Sequence, residues 1–169
     1  MNLENGNTDV LTDEDCMANK AKIKELLLST GRPGMERLLD WIEQKTDFFT
    51  APASTKYHLA VKGGLAKHSL NVYELLSGKV ASGLLEIKKE TVIITALLHD
   101  LCKVNFYVLE KKNVKEGTKV NAYGSEVANW VEKEVWTVHD PFPVGHGEKS
   151  CFYIQSFIRI TYEEYAMSP

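Results

Sequence analysis

Nowhere does this chain run to about 18 consecutive apolar residues, so nothing in it reads as a membrane-spanning helix. Cysteine is scarce. Cys16, Cys102 and Cys151 are odd in number, far apart and without a Cys-x-x-Cys pair, which argues against a disulfide framework and a cysteine-ligated zinc. The opening residues, Met1-Asn-Leu-Glu-Asn-Gly6, lack the basic and apolar regions of a signal peptide. A cytoplasmic protein with no membrane association is therefore expected. Excess charge is also missing: a formal net charge of −3 leaves no general footprint for long nucleic acid. A short substrate held by a few local cations remains compatible with it. No internal repeat and no low-complexity tract interrupts the chain.

What is present fits one globular domain: 169 residues with 44% apolar content can bury a sizeable core. Residues 1–12 are polar and acidic and read as a flexible arm, leaving 13–169 as a single domain. The spacing of Met17, Ile23, Leu26 and Leu27 predicts a helix over 13–30, stopped by Gly31. A second helix, with Pro33 in its first turn, carries Met35, Leu38, Leu39, Trp41 and Ile42. A third is expected over 65–76, punctuated by Gly78 and Gly83, and a fourth over 90–103. Aromatic and β-branched runs at 105–110 and 130–138 read as the strands of a hairpin. This hairpin insert, about 105–140, has 111–129 as its polar tip. A fifth helix follows over 146–158, with Phe152, Ile154, Phe157 and Ile158 as apolar positions. Thr161-Tyr-Glu-Glu164 matches a capping box, yet few residues follow it, so the last helix looks truncated. The expected fold class is mainly α, with one inserted β-hairpin.

His99-Asp100, at the end of the apolar run Thr91-Val-Ile-Ile-Thr-Ala-Leu-Leu98, carries the chemistry. A run apolar on every side belongs in the core, where a carboxylate and an imidazole are costly unless paired. A divalent metal suits both donors. Lys103 follows Asp100 by three residues and shares its face on a helix, so a cation stands ready for phosphate. The same residues also fit a buried Asp–Lys ion pair beside a core histidine.

The other histidines differ in setting. His68 lies on the third helix, four and five residues after the pair Gly63-Gly64, which lets another backbone or the site itself come close. His146 sits between Gly145 and Gly147 at a helix N-terminus, a position that favours anions. His58 lies on the loop leading into the third helix. His139-Asp140 occupies a proline-rich turn and reads as solvated.

Gly63-Gly-Leu-Ala-Lys-His68, followed by Ala96-Leu-Leu-His-Asp-Leu-Cys-Lys103, resembles the HD-domain metal-dependent phosphohydrolases. With Tyr57-His58, the segment looks most like the HD domain of bacterial YhaM-type three-prime-to-five-prime exoribonucleases and of phage-borne relatives. The resemblance spans roughly 57–158 and implies an HD-type helical bundle. It implies His68, His99 and Asp100 as metal ligands, with His146 as a second-metal or substrate residue. Asp100 and Lys103 would be the catalytic pair. Lys103, His58 and His146 would face the substrate. Cys102 replaces the glycine of the family's usual His-Asp-x-Gly-Lys motif. The family's last ligand, an aspartate on a later helix, has no counterpart, since neither histidine nor aspartate follows His146. Truncation, completion by a partner chain or an incomplete site would each account for that.

The implied chemistry is hydrolysis of a nucleotide or short nucleic-acid phosphoester, with one or two divalent ions (Mn, Fe, Ni, Mg or Zn). A metal supplies a water nucleophile near neutral pH and polarises the phosphoryl group, while Lys103 offsets developing charge. The hairpin aromatics Phe106, Tyr107, Trp130 and Trp136 either stack bases or pack the hairpin onto the helices. Two alternatives belong to other classes. One is a degenerate module that binds a nucleotide or metal as a sensor. The other is a structural domain whose apolar groove is filled by a second copy, giving a homodimer.

Overall fold

The computed structural model describes residues 10–167. They form a mainly helical chain with one hairpin. In order come α1 (Asp13–Ser29), α2 (Met35–Lys45), α3 (Gly64–Ala81), α4 (Lys89–Leu98), β1 (Tyr107–Val120), β2 (Glu126–Val138), α5 (His146–Gln155) and α6 (Tyr162–Met167). Of the expected arm, residues 1–9 lie outside the described residues. Thr12 is the N-cap of α1, its hydroxyl accepting the Asp15 N–H while the Asp15 carboxylate accepts the Thr12 N–H. No helix among the described residues is long and apolar enough to cross a membrane.

α4 explains the apolar run. Every residue from Thr91 to Leu98 is buried, because α1, α3 and α6 all pack against this helix. With each large aliphatic side chain contributing about 1.5–3 kcal/mol on burial, a helix lacking a polar face is stable only at such a centre. Ile23 and Leu27 of α1, Leu38 and Ile42 of α2 and Leu65 of α3 complete the cluster. Met17, expected on that face, is instead 73% exposed, since the inward stripe of α1 begins only at Ile23.

Three helix boundaries differ from expectation. Pro33 lies before α2, whose N-cap is Gly34 at φ +92°. A Cβ at Gly34 would come 2.1 Å from the Phe157 carbonyl oxygen. α3 continues through Gly78 to Ala81, because Gly78 faces open space and costs the helix only its local propensity. α4 stops at Leu98, and a separate 3-10 turn, Leu101–Lys103, replaces the expected final turn.

The hairpin is longer than the sequence suggested. β1 and β2 pair antiparallel from Tyr107↔Val138 to Val120↔Glu126, with a bulge between Lys115 and Thr118. The tip is confined to 121–125, where the Asn121 side-chain oxygen accepts the N–H groups of Tyr123 and Ser125. No residue of either strand is buried, and the outer stretches 111–120 and 126–129 lack the aromatic and β-branched runs that mark 105–110 and 130–138. Cross-strand ion pairs such as Lys111–Glu132 and Lys133–Glu116 line the ribbon instead.

Beyond the hairpin, α5 ends at Gln155. Ile154 and Ile158 enter the core, whereas Phe152, expected there, is 57% exposed. The capping box at Thr161 forms as read: Thr161 Oγ1 accepts the Glu164 N–H, and the Glu164 carboxylate accepts the Thr161 N–H. A helix as short as α6 is marginal by itself. It is anchored because Arg32 makes a two-pronged ion pair to the buried Glu164.

Candidate metal centre

The site forms where α3 passes the end of α4. His99 keeps helical dihedrals as the C-cap of α4, and Asp100 then turns the chain at φ −98°, ψ 20°. Functional residues are often found in this sparsely populated bridge region. The turn is pinned from α5. Ser150 Oγ, fully buried, donates to the His99 carbonyl at 2.7 Å and accepts the Cys102 N–H at 3.0 Å.

One oxygen is the focus of the site. Asp100 Oδ2 lies 3.4 Å from His68 Nε2, 3.3 Å from His99 Nε2 and 2.8 Å from Lys103 Nζ. Ligand atoms of His68, His99 and Asp100 all fall within 4.8 Å of one another, the metal-competent group among the described residues. Donors held about 2.1 Å from one ion, at angles of 90–109°, stand roughly 3.0–3.4 Å apart, so the two spacings to Asp100 are those of donors to a single divalent metal. Orientation fits too. His99 Nδ1 lies 2.9 Å from the Ala96 carbonyl, an acceptor only, so Nδ1 carries the proton and Nε2 presents its lone pair to the centre. Fixing the second ring nitrogen in this way is the usual support for a metal-binding histidine.

Without a metal, the same contacts hold charge. Burial pushes Asp100 up, but hydrogen bonds from His68 and His99 outweigh it and hold the carboxyl far below its usual range. Burial disfavours the charged form of His99, yet the Asp100 hydrogen bond and charge prevail and raise its pKa. Burial, with the Asp100 and Cys102 charges nearby, pushes the Tyr107 hydroxyl up to about 12.

The glycine pair before His68 has a definite role. A Cβ on Gly64 would stand 2.0 Å from the Leu59 carbonyl oxygen and 3.1 Å from Ala53 N. The close approach is thus a backbone, that of the 51–59 loop, seated directly on α3. The loop supplies the Ala53 carbonyl, which accepts from Lys103 Nζ at 3.2 Å and from Tyr107 Oη at 3.3 Å. Lys103 is therefore held by both a carbonyl and Asp100, leaving one of its three donors uncommitted.

Beside the cluster opens a cavity of about 580 Å³. Asp100 and Lys103 form one part of its lining, His146, Glu148 and Cys151 of α5 another, and Tyr165 of α6 a third. His146 stands apart from the three clustered ligand atoms. Its Nδ1 lies 3.4 Å from Cys102 Sγ, and its ring meets Phe106 edge-on. Cys102 is thus more than a small replacement for glycine, since its buried side chain touches this histidine. His58 is exposed on the 51–59 loop and outside the cavity lining. Of the hairpin aromatics, Phe106 is buried and Tyr107 and Trp136 half-buried, whereas Trp130 is 59% exposed.

Sequence reading missed Ser150, Ala53, Glu148 and Tyr165. The first two act through one hydroxyl and one carbonyl, which leave no pattern. It also missed that Asp140 pairs with the buried Lys149 at 2.6 Å, tying the hairpin exit to α5. A buried lysine is legible only once its helix face is known.

The family model for the HD domain matches residues 65–140. Neither a curated protein nor a solved structure matches the chain.

Proposed function

We propose that this protein, whose residues 65–140 match the family model for the HD domain, is a metal-dependent phosphohydrolase of that superfamily and hydrolyses a nucleotide or nucleic-acid phosphoester at the His68–His99–Asp100 centre. On this reading α1–α5 make up the HD-type bundle, and the hairpin is an insert between its fourth and fifth helices. The observation that supports it most directly is the convergence of two imidazole nitrogens, at 3.4 and 3.3 Å, on Oδ2 of Asp100, a residue that lines the 580 Å³ cavity. His68, His99 and Asp100 would hold a divalent ion. When bound, that ion supplies Lewis acidity toward the phosphoryl group and a water nucleophile near neutral pH.

The remaining chemistry belongs to the chain itself. The Nδ1–H bond to Ala96 keeps the His99 ring from rotating, and Ser150 fixes the backbone that presents it. The free donor of Lys103 faces a phosphoryl oxygen and offsets charge that grows as the ester bond breaks. His146, which lines the cavity, would give a proton to the leaving oxygen.

The test is elemental analysis of the purified protein and of Asp100→Ala, together with a screen of phosphoesters in the presence of Mn²⁺. The expected result is a stoichiometric transition metal in the parent, lost in the variant, and metal-dependent hydrolysis by the parent alone. A parent that binds metal and nucleotide yet turns nothing over would make it a binding module. Full turnover by Asp100→Ala would overturn the mechanism.

A further inference from the structure

Among the described residues, α6 brings one side chain, Tyr165, into the lining of the cavity beside the cluster. That ring is 48% exposed, so it covers no core and its loss opens none. The helix beneath it is firmly held. Arg32 grips Glu164 with both terminal guanidinium nitrogens, at 3.0 and 2.8 Å, and also reaches the Arg159 carbonyl. A half-exposed aromatic on a clamped helix is a rigid apolar platform.

Charge on the lining narrows what can lie there. Lys103 is the only ammonium or guanidinium group that the described residues bring to it, and Glu148 brings a carboxylate to the α5 side. Lys103, with the ion held at Asp100, therefore matches one phosphate group, whereas the outer phosphates of a triphosphate chain would meet the Glu148 carboxylate with no further cationic side chain among the described residues of the lining to offset them. A volume of about 580 Å³ is in the range of small-molecule sites.

Resting on the phosphoester reading above, we infer that Tyr165 is a specificity-determining residue. Its ring stacks the base of a nucleoside carrying a single phosphate group, whose phosphate lies at Asp100 and Lys103. Stacking on an aromatic side chain suits any base, so the platform selects for a nucleobase without choosing among them.

Calorimetric titration of the full chain with AMP, ATP and inorganic phosphate tests this, using the parent, Tyr165→Ala and Tyr165→Phe. The parent should bind AMP about tenfold or more tighter than phosphate, and ATP no tighter than AMP. Tyr165→Ala should bring AMP down to the level of phosphate, and Tyr165→Phe should keep the advantage. Metal content and melting temperature should be unchanged in both variants. An AMP advantage that survives Tyr165→Ala, or ATP binding tighter than AMP, overturns the inference. So does phosphate binding with no AMP advantage in the parent, which leaves the phosphoester reading standing. Binding of none of the three overturns both.

Discussion

Lys103 Nζ lies 2.8 Å from Asp100 Oδ2, the same oxygen on which His68 and His99 converge. In the metal-free protein this ammonium helps to neutralise Asp100, so it competes in charge with any cation bound there. On the proposed phosphoester reading, its free donor would be available to the phosphoryl group once a metal is present. The two effects oppose each other in a way that one substitution separates. Lys103→Met should leave metal binding intact or tighter while lowering kcat about 10²-fold, the scale of losing one donor to developing negative charge. Metal stoichiometry and steady-state kinetics on the same preparation decide it. Loss of metal together with activity would mean that the lysine merely supports the fold of the turn.

Metal affinity should rise with pH. His99 has its pKa raised in the metal-free protein, chiefly because the pull of Asp100 outweighs burial, and it must lose the Nε2 proton to become a ligand. Below that raised value each pH unit should weaken binding about tenfold, for one proton displaced. Thermal stability of the metal-free protein should run the other way. The charged His99 stabilises fully below its ordinary value of 6.5 and ceases to do so as pH rises through the raised folded value. Asp100, whose pKa is lowered, stabilises above its ordinary 3.8 and loses this only as pH falls toward its folded value. Titrations of Mn²⁺ and melting curves across about pH 5–8, around the ordinary histidine value, should show these opposite slopes. Parallel slopes would remove His99 from the ligand set.

The site was legible to the degree that it is written in side chains at fixed spacing. His99, Asp100 and Lys103 stand out in the sequence because an all-apolar run ending in a carboxylate breaks the rule for burial, whereas His68 enters only through the family resemblance; the structure brings all four side chains together. The backbone that delivers them was misread. Periodicity carried α4 through to Lys103, but the helix yields at Asp100, where Ser150 takes over the His99 carbonyl from across the core. The 3-10 turn that follows still brings Lys103 to Asp100, because residues three apart also align there. The hairpin was half seen for a different reason. Its outer strands face water on both sides, so pairing depends on partners such as Glu132 and Glu116, which no local pattern reveals.

Gly64→Ala tests whether the close approach at α3 matters to the site. The new Cβ would stand 2.0 Å from the Leu59 carbonyl oxygen, a backbone atom that cannot rotate away. The 51–59 loop must lift off the helix, costing about 1–3 kcal/mol as for other overpacked positions. That corresponds to a fall in Tm of roughly 2–12 °C for a chain of this size. Displacing the loop also moves the Ala53 carbonyl from Lys103 and Tyr107, so activity should fall further than stability alone explains. Gly78→Ala, where the added Cβ meets nothing within 4 Å, serves as the control and should stabilise α3 by up to about 1 kcal/mol. Equal effects at the two positions would contradict the role assigned to Gly64.

Arg32 and Glu164 offer the sharpest test of how α6 is held. Glu164 is 1% exposed, and Arg32 is its paired cation, itself also bonded to Glu90 at 2.6 Å. Burial pushes Glu164 up, but the Arg32 hydrogen bond outweighs it, so the carboxylate stays charged and its contribution is lost only under acid. Arg32→Ala leaves that charge buried without its cation, a defect worth about 3–5 kcal/mol when one member of a buried pair is removed. Because α6 is short, the helix should detach rather than reorganise, and Tyr165 would leave the cavity with it. Hydrogen exchange should therefore accelerate over 162–167 well before the rest of the chain responds. Replacing both partners, Arg32→Met with Glu164→Leu, removes the uncompensated charge and should recover much of the lost stability. Failure of the double variant to recover any would show that the loss lay with the other bonds removed, those of Arg32 to Glu90 and the Arg159 carbonyl and that of Glu164 to the Thr161 N–H, and not with an uncompensated charge.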